Sequence, residues 1–162
     1  MAIEARKLMD ECRAEAESFG VIDAIRRGIG HEQQLAPHEP HKLPPGRGAV
    51  YVFSLSEGWG SQCEAGPGFV LKVGKAGPNS NARFSSQHYN AGSAPSTLAE
   101  RVLQHPEVWE PLGLSNPTKV SINSWLRART DRDNFFIAGE DRQLLGAFET
   151  FLLVRLRPLF ER

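Results

Sequence analysis

The sequence predicts a mixed α/β fold of the α+β type, a small sheet with helices packed on it behind a helical N-terminal extension. Three observations carry this. Ala49–Leu55 and Phe69–Lys75 are rich in β-branched and aromatic residues and read as strands. A shorter run, Asn134–Ala138, reads as a third strand. In Glu140–Leu156 the residues Leu144, Leu145, Phe148, Phe151, Leu152 and Leu156 recur at helical spacing, and Pro158 ends the pattern.

The other elements follow in chain order. Residues 2–28 read as helix: Ile3, Leu8, Met9 and Cys12 fall near helical spacing, as do Phe19, Val21, Ile22 and Ile25, with Gly20 between the two sets. Residues 31–47 hold four prolines and three histidines (His31, His38, His41) among few apolar residues, which reads as a linker or an extended wrap. The two early strands pair most simply as an antiparallel hairpin. Their connection, residues 54–68, is Gly/Ser-rich and longer than usual, with Trp59 at its centre either packing on the core or stacking on a substrate. Asn79 or Ser80 can cap a helix to about Tyr89, and Ser96 or Thr97 another to about His105. Pro106 suits the first turn of a short helix to Trp109. Residues 118–130 fit a strand or a helix end. The expected organisation is a helical extension over residues 1–30, a Pro/His-rich linker over 31–46 and one domain over 47–162.

The chain of 162 residues has an ordinary apolar fraction of 40% and a formal net charge of zero. It holds no apolar run of membrane-spanning length, and the charged N-terminus lacks the apolar region of a signal peptide. Two cysteines, Cys12 and Cys63, are too few for a disulfide framework or a zinc site, and a reducing cytoplasm is the default. Zero net charge argues mildly against nucleic-acid binding. The distribution softens this: residues 42–132 carry ten Lys or Arg against six Asp or Glu, with Lys119, Arg127, Arg129 and Arg132 clustered. On composition alone that cluster is a solvated face. The three histidines lie in a Pro-rich segment that fixes no metal geometry.

Several residues can carry chemistry. Glu149 has Leu145, Gly146, Leu152 and Leu153 three and four residues away, so its own helix offers no cation. Bordering the apolar stripe, it either points to solvent or needs a cation, and a divalent metal with one carboxylate would serve. Tyr51 is either a core aromatic or a phenol that deprotonates water. A free phenol titrates near about pH 10, so the second role needs a neighbouring cation such as Lys75. Arg83, on a predicted helix, is either a surface residue or a bidentate phosphate ligand. His88 and Tyr89 follow on the same rim, and either can reach the same centre.

Taken together, these residues resemble the GIY-YIG nuclease family. The family's Gly-Ile-Tyr strand motif is similar to Gly48-Ala49-Val50-Tyr51, with one extra residue between Gly and Tyr. Its Tyr-Ile-Gly motif is similar to Lys72-Val73-Gly74, followed by Lys75; the lysine in the tyrosine's place is like the Lys-Ile-Gly form of one branch. The family's helix arginine matches Arg83, its further His or Tyr matches His88 or Tyr89, and its metal-binding Glu matches Glu149. The run from Glu149 through Pro158 to Glu161 resembles the closing motif, with Glu161 where the family usually has Asn.

The resemblance covers about residues 46–161. It implies a small three-stranded antiparallel sheet flanked by helices, a tyrosine general base and one Mg²⁺ or Mn²⁺ held by Glu149. The expected activity is endonucleolytic cleavage of DNA, with Tyr51, Lys75, Arg83, His88 or Tyr89, and Glu149 in the catalytic centre. Lys72, Gly74, Lys119, Arg127 and Arg129 are the expected substrate contacts. The alternative is a binding or regulatory module of the same fold that has lost cleavage, which the neutral charge, Lys72 and Glu161 favour. A small α/β interaction protein ranks last. Neutral charge also points to salt-sensitive binding and to action with a partner protein.

Overall fold

A four-stranded antiparallel sheet organises the chain. In the computed structural model, which describes Lys7, Leu8, Asp10, Glu11, Ala14 and residues 29–160, the strands are β1 (Gly30–Gln34), β2 (Arg47–Leu55), β3 (Val70–Ala76) and β4 (Thr130–Ala138). Their order is β1-β4-β2-β3, with every neighbouring pair antiparallel. Between residues 29 and 160 lie five α-helices: α1 (Glu57–Gly60), α2 (Asn81–Ser85), α3 (Leu98–Gln104), α4 (Lys119–Arg129) and α5 (Arg142–Leu156). Short 3₁₀ turns cover Gln87–Tyr89 and Pro106–Val108. The five described residues near the N-terminus are helical; the rest of the expected helix over 2–28, with Cys12, lies outside the described residues, and so does Glu161.

The sheet has four strands, not the expected three. The addition is β1, which falls where the sequence reads as the start of a linker. Its residues, Gly-His-Glu-Gln-Gln, carry no apolar alternation, because this edge strand is held through its backbone pairing with β4. β4 also begins earlier than Asn134. Its first half contains Asp131, Arg132 and Asp133, charges that conceal a strand, yet Arg132 and Asp133 are buried. Residues 119–129 resolve as helix, entered by a capping box in which Thr118 and Ser121 exchange side-chain and backbone hydrogen bonds.

Strand alternation gives the sheet two apolar faces. Ala49, Tyr51, Phe53 and Leu55 face a core with Phe84 of α2, Leu98 and Val102 of α3, and Ile122 and Leu126 of α4. Val50, Val52, Val73, Phe135 and Ile137 face α5 through Leu144, Leu145, Phe148 and Leu152, joined by Leu8. Asp141 caps α5 by accepting from the Leu144 amide at 3.0 Å, and left-handed Arg157 ends it before Pro158. Arg155 pairs with Glu11 at 2.8 Å, tying the N-terminal helix to α5. No helix among the described residues is long and apolar enough to cross a membrane.

Two glycines set close approaches between the elements around β2 and β3. A Cβ on Gly48 would stand 3.1 Å from a Leu145 methyl and 3.3 Å from the Ala76 carbonyl, so its absence lets α5 sit close on β2. A Cβ on Gly74 would fall 2.7–2.9 Å from the ring and oxygen of Tyr51, its cross-strand partner. Gly74 is therefore the shelf on which the Tyr51 ring lies.

Candidate active site

The candidate residues gather around the outer edge of β3. This strand ends the sheet, and the chain's last described segment covers only its beginning: the Leu159 and Phe160 amides donate to the Val70 and Leu71 carbonyls. Beyond that point the edge borders a cleft of about 830 Å³. Lys72, Gly74 and Lys75 form its floor, Arg83 and Arg101 stand on one side, and Arg142 and Glu149 on the other.

Register explains this split. Gly74 pairs with Tyr51 and Lys72 with Phe53, so they share the face covered by α2 and α3. Lys75 pairs with Val50 and shares the α5 face. The cleft wraps the sheet edge and joins both faces.

On the α5 side, Glu149 is 5% exposed, and its Oε2 lies 2.7 Å from the half-exposed Lys75 ammonium. The cation that the lone carboxylate requires thus comes from β3, not from its own helix.

On the opposite side, the Tyr51 oxygen lies 2.6 Å from His88 Nε2 and receives a longer contact from Arg83 Nε at 3.4 Å. Burial drives the His88 imidazole well below its usual pKa, and the charges of Lys72, Arg132 and Arg83 push the same way. The ring is therefore neutral. The Leu98 amide donates to His88 Nδ1 at 3.3 Å, so the ring proton sits on Nε2 and is donated to the Tyr51 oxygen. Burial raises the Tyr51 phenol above its usual value, while the hydrogen bond and charge of Arg83 draw it back. Tyr51 is fully buried and does not line the cleft; exposed Arg83 stands between.

His88 and Tyr89 point to different places. The Tyr89 hydroxyl contacts His38 Nε2 at 2.8 Å and accepts from Arg132 Nη1 at 3.3 Å. Arg132 is the largest fully buried side chain among the described residues, with its guanidinium 4.3 Å from the Phe84 ring centre and 5.0 Å from that of Tyr51. Of the expected substrate contacts, Lys72 and Gly74 lie in the cleft, whereas Lys119, Arg127 and Arg129 do not. Arg127 pairs with Glu39, and Arg129 lies 4.2 Å from the ring centre of Trp59. Trp59 itself donates to the Leu112 carbonyl and packs against the core, away from the cleft. The three histidines are dispersed, to Asp133, Tyr89 and Glu32 respectively.

Sequence reasoning missed Arg101 and Arg142. Arg142 had a usable signal, because it precedes Glu149 by seven residues and so shares its helix face. Arg101 had none, since only the tertiary fold brings α3 to the edge of β3. Comparison with known family models, with curated proteins and with solved structures finds no match.

Proposed function

We propose that this protein is a metal-dependent endonuclease that hydrolyses phosphodiester bonds in DNA at the β3 edge. The observation carrying this reading is the cleft's composition: five cationic side chains and one buried carboxylate, with a phenol–imidazole pair one side chain behind. Cations at this density suit a phosphate backbone. Arg83 holds the scissile phosphate and opposes its growing charge in the transition state. Drawing Arg83 onto a phosphate uncovers the Tyr51 oxygen. Tyr51 first gives its own proton to solvent through the opened cleft; the phenolate, held by the His88 Nε2–H donor, then takes the proton of the attacking water.

Glu149 is the residue that would hold a Mg²⁺ or Mn²⁺. One carboxylate in a wide cleft suits Mg²⁺, which binds through one or two carboxylates and keeps several waters. Among the described residues no group of three His, Cys, Asp or Glu offers a fuller cage. When bound, such an ion neutralises charge on the phosphate and the leaving oxygen. Lys75 shares that carboxylate from the cleft floor, where its ammonium can also reach a bound phosphate.

The deciding experiment is cleavage of labelled single- and double-stranded DNA, and of RNA, with Mg²⁺ or Mn²⁺. Wild type should cut, and Glu149→Ala and Tyr51→Phe should each cut at least about 100-fold more slowly while remaining folded. A second reading, a nucleic-acid-binding module without cleavage, draws on the enclosure of Tyr51 and the Lys75–Glu149 pair. Binding without cutting by well-folded wild type would establish it in place of the first.

A further inference from the structure

We infer that Arg101 and Arg142 hold the phosphates on either side of the one held by Arg83, so that the substrate is a strand of polynucleotide laid across the β3 edge. The inference rests on the proposed phosphodiester chemistry and extends it to the shape of the substrate. Three observations support it.

First, the arginines come from three elements, α2, α3 and α5, and reach one cleft from both faces of the sheet. A ligand touching all three must pass around the strand edge. A mononucleotide or a terminal phosphate ester engages one cation cluster, whereas a chain with a phosphate at each nucleotide engages a row of them.

Second, none of the three is ion-paired among the described residues, in contrast to Arg127 and Arg155, which meet Glu39 and Glu11. Arg101 Nε is buried without an acceptor, an N–H donor in the cleft wall whose desolvation nothing within the described residues offsets. A phosphate oxygen supplies that acceptor once the side chain turns into the cleft, because the Nε is closed off where it stands. Third, among the described residues the only carboxylate in the lining is Glu149, which Lys75 already neutralises, so that lining is cationic.

An acidic peptide adding to the open β3 edge is the competing occupant. It would pair through backbone groups and leave guanidinium groups on both faces of the sheet unevenly used. The placement of cations on both faces favours the phosphate chain.

The test uses the full chain and fluorescein-labelled DNA, a single-stranded dodecamer and a dinucleotide with one phosphodiester. Binding is followed by anisotropy in EDTA over a salt series, so its readout does not depend on cutting. Arg101→Gln and Arg142→Gln should each weaken dodecamer binding about 5- to 20-fold and make the log–log salt slope shallower by about 0.7, the value for one phosphate contact on a single strand. Dinucleotide binding should be nearly unchanged in both. Arg101→Lys and Arg142→Lys should recover most of the affinity, which separates lost contacts from lost folding.

Wild-type affinity and salt slope in both Gln variants would overturn the inference. If wild type also cuts DNA, the nuclease reading survives that result. If wild type binds without cutting and the variants weaken binding as described, the nuclease reading falls and the phosphate track stands. Failure of wild type to bind any DNA overturns both, and saturable binding of a poly-glutamate peptide would then assign the edge to the competing occupant.

Discussion

Gly74 is the residue on which the position of the phenol depends. Tyr51 lies across it with no space for a side chain, and the ring cannot retreat, because Phe53, Phe84 and His88 meet it edge-on, with centres 4.9–6.2 Å away. Gly74→Ala should therefore destabilise the fold by about 1–3 kcal/mol, the usual cost of overpacking a closed core. It should also slow cleavage by more than the stability loss explains, by moving the Tyr51 oxygen off His88. Urea denaturation beside single-turnover kinetics checks this; a variant as stable and as active as wild type would show that the ring has another place to go. Tyr51→Phe tests the same contact from the other side. It leaves the His88 Nε2–H donor buried and unpaired, so it should cost about 1–3 kcal/mol of stability as well as activity. The cleavage comparison must therefore be made where both proteins are folded.

At the scale of elements, the seating of α5 on the sheet decides where Glu149 stands. The helix approaches β2 at Gly48, where Leu145 lies one turn before Glu149. Gly48→Val should push on Leu145, destabilise by about 1–3 kcal/mol and draw Glu149 away from Lys75. Leu145→Ala in the same chain should relieve part of that cost, so the pair should be non-additive in a double-mutant cycle read by thermal or urea unfolding. Strict additivity would mean that α5 does not bear on β2 there. The same elements show what a sequence makes legible. β2, β3 and α5 could be read because their burial is apolar and periodic. β1 could not, because its pairing uses backbone groups that every residue carries. The first half of β4 could not, because Arg132 is buried among aromatic rings, where composition places it on a solvated face. That Tyr51 and Gly74 stand on neighbouring antiparallel strands was readable from the hairpin; their direct pairing was not, because the long 54–68 connection leaves the register open. That Tyr51 and Glu149 occupy opposite faces, meeting only around an edge, depends on which strand ends the sheet. Nothing local in the sequence encodes that.

At the scale of the whole molecule, the polar groups buried on the Tyr51 side make the fold sensitive to acid. His38, in the segment that follows β1, is pushed from 6.5 down to about 4, first by burial and then by Arg132, with Arg127 and His41 adding to it. Its Nε2 is engaged by the Tyr89 hydroxyl, and its backbone amide is tied to the Arg127 carbonyl of α4, so it cannot turn out to water without loosening that segment. The unfolded chain therefore takes up the proton before the folded one does. The stability held by neutral His38 is complete above pH 6.5 and is lost as pH falls toward 4, about 3 kcal/mol over the window. His88, more deeply enclosed and also lowered, acts in the same direction. Asp131 and Asp133 act oppositely: burial raises both carboxyls, so the folded state gains protons first as pH falls and part of the loss is offset. At the upper end of the window the unfolded-chain histidines take up protons that the folded imidazoles do not. Urea midpoints measured between about pH 7 and about pH 4 should fall with acidification. In His38→Gln the slope should be shallower by up to one proton, about 1.4 kcal/mol per pH unit. An unchanged slope would place the acid-sensitive group elsewhere, with His88 next in line. The catalytic reading meets the same constraint, because a charged His88 would donate from both nitrogens and lose its match to the Leu98 amide. Cleavage should accordingly stay insensitive to His88 across neutral pH, and should fall with acidification because the buried Tyr51 phenol then keeps its proton.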